Sequence, residues 1–101
     1  MTYLDVFGNQ VDLTDERWRH IITQHPQVES YRERLGDVLA APTYVRRSRR
    51  DEDVLLYRRE YAGLPGGNYL LLVVKIGQRS FILTSYLIDR VRRGETLWEI
   101  H

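Results

Sequence analysis

Cysteine is absent from the 101 residues, which excludes disulfides, thiolate nucleophiles and Cys-type zinc sites together and fits a reducing compartment. No apolar run approaches the roughly 20 residues that a membrane helix needs, and Met-Thr-Tyr-Leu-Asp lacks the basic and then apolar regions of a signal peptide. A cytoplasmic location without a membrane partner is the expectation. Excess charge is missing too: fifteen basic side chains against fourteen acidic ones leave +1, so any polyanion site must be a local patch. Lysine is nearly absent, since Lys75 is the one basic residue that is not arginine. Guanidinium grips phosphate through two parallel hydrogen bonds, although a GC-rich genome produces the same skew. Neither a repeat nor a low-complexity stretch divides the chain.

What is present is enough for one packed domain over 1–101, with 43% apolar and 11% aromatic residues. Tyr3 to Leu13 alternates loosely around Gly8-Asn9 and reads as a short hairpin. Thr14 then stands as an N-cap ahead of Asp15 and Glu16, and Trp18, Ile21, Ile22 and His25 repeat at helical spacing until Pro26. A helix over 14–25 follows. Val28, Tyr31, Leu35, Val38 and Leu39 predict a second helix, weakened at Gly36 and stopped by Ala40-Ala41-Pro42. From Thr43 the period becomes two. Strands are expected over 43–48, 54–61, 69–75 and 80–87, with Leu70 to Val74 covered on both faces. The short connections between them imply antiparallel neighbours. The fold class is therefore α+β, two N-terminal helices packed on a four-stranded antiparallel meander sheet.

Few residues carry chemistry. His20 and His25 lie five positions apart, about 140° around a helix, so the i, i+4 spacing of a metal-binding pair is missing and no metal or cofactor is expected. His25 sits at a helix C-terminus, where a capping role and a proton-transfer role are both open. His20, near Glu16 and Gln24, reads as an exposed helical histidine, and His101 is given no role. In the last long strand Thr84 and Tyr86 project hydroxyls from one face, with Ile82 beside them, a geometry for phosphate contact or general acid-base work and also ordinary strand composition. Arg46, Arg47, Arg49, Arg50, Arg58 and Arg59 face Asp51, Glu52 and Asp53 across one hairpin, a local +3. Tyr44, Tyr57 and Tyr61 interleave with them, as in sheets that stack bases beside phosphate contacts, or the hairpin is merely solvated. Arg90, Arg92 and Arg93 form a later basic group.

The order of motifs resembles a family. Leu13-Thr14-Asp15 with Trp18-Arg19-His20-Ile21 and Gln24-His25-Pro26, Leu39-Ala40-Ala41-Pro42, Leu56-Tyr57-Arg58, Leu71-Leu72-Val73-Val74-Lys75, Ile82-Leu83-Thr84-Ser85-Tyr86-Leu87 and Arg93-Gly94-Glu95-Thr96-Leu97-Trp98 are similar to the phage and bacterial nuclease domains grouped with barnase, EndoU, colicin E5/D and RelE. These short motifs span about residues 11 to 98. The resemblance implies a metal-independent endoribonuclease, a toxin of a toxin-antitoxin, phage or polymorphic-toxin system, with RNA (tRNA or mRNA) and an antitoxin or immunity protein as partners. Carried onto this chain, it assigns His20, His25, Thr84 and Tyr86 to catalysis. Arg46, Arg47, Tyr57, Arg58 and Arg90 are the RNA-binding candidates from the basic groups. Thr84-Ser85-Tyr86 departs from the usual Thr-Ala-Tyr-like triplet at its middle position. The competing expectation is a non-catalytic RNA- or protein-binding module on the same scaffold.

Overall fold

Thr14 is the start signal for the first helix. Its backbone is extended and its Oγ1 accepts a hydrogen bond from the Arg17 N–H at 3.1 Å, satisfying one of the free donors of helix α1, Asp15–Gln24. Asp15 and Glu16 occupy the positive end of the helix, while Trp18 and Ile21 are buried beneath it. Replacing Thr14 by Ala is expected to cost about 1 kcal/mol of stability, measurable as a lower urea midpoint at unchanged slope. In this computed structural model, residues 1–64, 68–89 and 96–99 are described.

The second helical region differs from the single helix that its spacing predicts. Pro26–Arg34 is a 3-10 helix, and only Leu35–Ala40 is α-helical (α2). Apolar residues three apart fit both helix types, so Val28 and Tyr31 could not tell them apart. Gly36 in α2 has a packing reason, because a Cβ there would meet the Tyr3 ring at 3.2 Å.

Among the described residues, seven strands form one sheet: β1 (Thr2–Leu4), β2 (Gln10–Asp12), β3 (Tyr44–Arg47), β4 (Val54–Glu60), β5 (Tyr69–Lys75), β6 (Ser80–Ile88) and β7 (Thr96–Glu99). Their spatial order is β1-β2-β6-β5-β4-β3-β7, antiparallel throughout except for the parallel β2–β6 pair. The architecture is α+β, and the expected meander β3-β4-β5-β6 is its middle. The four-stranded sheet is corrected to seven strands among the described residues: the hairpin expected over Tyr3 to Leu13 joins it through β2–β6 and β7 extends it beyond β3, pairings between distant segments that local alternation does not encode.

The β1–β2 hairpin turns through residues 5–9, where Gly8 takes a positive φ of 86° that a side chain would strain. Asp5 organises this turn. Its carboxylate accepts the N–H groups of Phe7 at 3.0 Å and Asn9 at 2.7 Å, and also the Tyr57 hydroxyl from β4 at 2.5 Å. Tyr57 lies in the core with Leu55, Leu70, Leu72, Val74 and Ile82, covered by Trp18, Ile21, Val28, Leu35, Val38 and Leu39 from the helices. Leu71 alternates to the opposite face of β5 and is also buried, as expected for a central strand. Among the described residues, no helix is long and apolar enough to cross a membrane.

Burial, then the neighbouring Asp5 carboxylate, pushes the Tyr57 phenol well above its usual range, and burial also raises Tyr3, Tyr61 and Tyr69. A raised native value means that above about pH 10 the unfolded chain releases a proton that the native state keeps. The Tyr57 contribution is thus fully present below about pH 10 and lost as the pH rises beyond it, by about 1.4 kcal/mol per pH unit. Urea denaturation from pH 9 to 11 should show this fall, and a flat profile would contradict it.

Candidate functional site

His25 is the joint between α1 and the 3-10 helix. Its backbone N–H donates to the Ile21 carbonyl at 2.8 Å and its own carbonyl accepts from Val28 N–H at 3.1 Å, while Pro26 restricts the turn. His25 is thus the C-cap of α1 through its backbone N–H, a bond that does not involve the imidazole. The ring is half-buried and packs against Tyr86, with centroids 5.1 Å apart and planes inclined by 31°. Register explains the meeting. β2 pairs only with Ser80 and Phe81, so among the described residues the second half of β6 is bordered by no strand on that side, and His25 comes onto it there.

Thr84 and Tyr86 share a sheet face, opposite Val73 and Leu71 of β5. Ser85 alternates to the core side, fully buried, and its Oγ donates to the Leu71 carbonyl at 2.8 Å. Ile82 does not keep company with Thr84 and Tyr86. The register shifts between Val73 and Val74, so Leu83 is an extra residue and Ile82 turns into the core, which strict alternation could not foresee. Among the described residues, the Thr84 Oγ1 is buried without a hydrogen-bond partner, an uncommon state for a hydroxyl.

His20 is exposed and lines a separate surface recess with Thr14, Glu16, Arg17, Arg19 and Thr23, to which His25, Thr84 and Tyr86 contribute nothing. The structure thus joins three of the four catalytic candidates and leaves His20 apart.

The arginine hairpin does not form one basic surface. Pairing of β3 with β4 sets Tyr44 opposite Arg58, Arg46 opposite Leu56 and Arg47 opposite Leu55, so Arg46 and Arg58 share one face while Arg47 and Arg59 lie on the other. Arg59 donates to the Ala41 carbonyl at 2.6 Å and lies over Tyr61, whereas Arg49 and Arg50 are exposed. Tyr57 and Arg58 are both 0% exposed, which corrects their reading as surface RNA contacts. Tyr57 is a core residue with its hydroxyl engaged by Asp5, and Arg58 lies beneath the opposite face. Arg46 and Arg47 are half-buried, and Arg90 lies outside the described residues.

On that opposite face, Tyr44, Arg58, Leu71 and Tyr86 stand directly across from one another on four successive strands. Tyr69, one side-chain repeat along β5 from Leu71, brings its ring to 6.4 Å from Tyr44, and the Arg46 guanidinium lies 5.1 Å over Tyr44. Tyr69 was not among the sequence candidates, because its neighbour is fixed by a β3–β4–β5 register that composition does not encode. Among the described residues, no three His, Asp or Glu side chains gather as a metal site. No family model, curated protein or solved structure matches the chain.

Proposed function

We propose that this protein is a metal-independent endoribonuclease acting at His25, Thr84 and Tyr86, with a fold of the barnase, EndoU, colicin E5/D and RelE kind. The observation that carries the reading is the His25–Tyr86 ring contact beside the Thr84 hydroxyl on one sheet face. Cleavage of RNA by its own 2′-OH needs a base for that proton, an acid for the departing 5′-oxygen and a donor to the phosphorane oxygens. His25 and Tyr86 fill the two proton-transfer roles, and Thr84 takes the donor role once substrate binding uncovers its hydroxyl, which is buried in the free protein. DNA lacks the attacking hydroxyl and should be spared.

The reading includes the toxin setting: expression without a cognate inhibitor should arrest growth, and an antitoxin or immunity protein would cover the His25 face. Incubation of the protein with total RNA in EDTA is expected to give discrete fragments while single-stranded DNA of matching sequence stays intact. Intact RNA at every protein concentration would overturn the proposal. Salt-sensitive RNA binding without fragments would leave a binding module in its place.

A further inference from the structure

The sheet face that carries Thr84 and Tyr86, away from the core, also holds an aromatic pair that the proton-transfer chemistry leaves unused. Tyr44 on β3 and Tyr69 on β5 meet across β4 with their rings tilted at 51° to each other. The Arg46 guanidinium stacks on Tyr44, and Arg58 lies fully buried in the strand between the two tyrosines. Both rings are half-buried, neither sealed in the core nor freely rotating in solvent. Their place relative to the candidate site follows from register. Tyr69 is one strand over and two residues along from Tyr86, about 8 Å from the spacing of a sheet, which is within reach of the nucleotide adjoining a phosphate held at Tyr86.

We propose that Tyr44 and Tyr69 form a base-stacking step for the nucleotide next to the phosphate bound at His25, Thr84 and Tyr86. The inference rests on the ribonuclease reading for the position of that phosphate. The chemistry favours a nucleobase as the occupant: a flat π-surface finds two mutually tilted aromatic rings and a guanidinium lying over one of them. Every base has a π-face, so the step selects for an unpaired base and discriminates little among the four. Single-stranded RNA is the substrate class, because a base stacked on this step cannot remain paired in a helix.

Binding of a short 2′-O-methyl oligonucleotide, which cannot be cleaved, tests the step separately from catalysis. In a series with one abasic position moved along the strand, one position is expected to weaken binding about tenfold, the share of a single base-aromatic stack. Tyr69→Ala should weaken the intact oligonucleotide by the same factor and become indifferent to the abasic position, whereas Tyr69→Phe should behave as wild type. Tyr44→Ala provides a second variant should Tyr69→Ala fail to fold, judged by its melting curve. Equal binding of every abasic oligonucleotide by the wild-type protein would overturn the stacking step, as would full discrimination by a folded Tyr69→Ala protein, or no binding at all. Cleavage of ordinary RNA is read in parallel. Discrimination without cleavage removes the ribonuclease reading alone, and cleavage without discrimination removes the stacking step alone.

Discussion

His25→Ala is expected to lower RNA cleavage by about two to four orders of magnitude while leaving the protein folded. The two effects separate because the helix end is capped by the backbone N–H of residue 25, which any residue but proline supplies. What the fold loses is the ring contact with Tyr86, about 1 kcal/mol. Unfolding midpoint and cleavage rate, measured on one preparation, distinguish a proton-transfer residue from a packing one. A destabilised but fully active protein would move the proton chemistry to His20 and Tyr86. Tyr86→Phe is the companion substitution, since it keeps the ring against His25 and deletes only the hydroxyl; a large loss of rate with an unchanged midpoint is the expected result.

The largest expected effect on stability comes from Asp5→Ala, about 3 kcal/mol in urea denaturation. Asp5 is 6% exposed, and its carboxylate ties together Phe7 and Asn9 in the hairpin turn and Tyr57 in the middle of the sheet. Removing it leaves the Tyr57 hydroxyl in the core without its acceptor and frees the turn. Tyr57→Phe deletes the donor alone and leaves Asp5 its backbone partners, so it should cost less, about 1 to 2 kcal/mol. A loss from Asp5→Ala no greater than that of Thr14→Ala would show that the turn holds without the carboxylate.

Much of this arrangement was legible because local signals agreed with tertiary packing. Thr14 followed by two acids marked the start of α1, and unbroken apolar character marked Leu70 to Val74 as the central strand. The parity of Thr84 and Tyr86 was also readable, because it involves neighbours on one strand. Partnerships between distant segments were not. Nothing near Asp5 announces Tyr57, fifty-two positions away, and nothing near Tyr69 announces Tyr44. The six arginines of the 46–59 hairpin suggested one basic surface, yet the two-residue period of β3 and β4 sends adjacent arginines to opposite faces. His20 and His25 came from one motif, His20 reading as an exposed helical histidine and His25 with capping and proton transfer both open, and only tertiary packing sets His25 against Tyr86.

Mass analysis of the ends left on a defined RNA oligonucleotide after incubation with the protein in EDTA tests the central claim most directly. Attack by the neighbouring 2′-OH, with His25 and Tyr86 moving the protons, predicts an upstream fragment ending in a 2′,3′-cyclic phosphate and a downstream fragment beginning with a 5′-hydroxyl. Fragments with a 3′-hydroxyl and a 5′-phosphate would mean that water rather than the 2′-OH attacks, and would contradict the account.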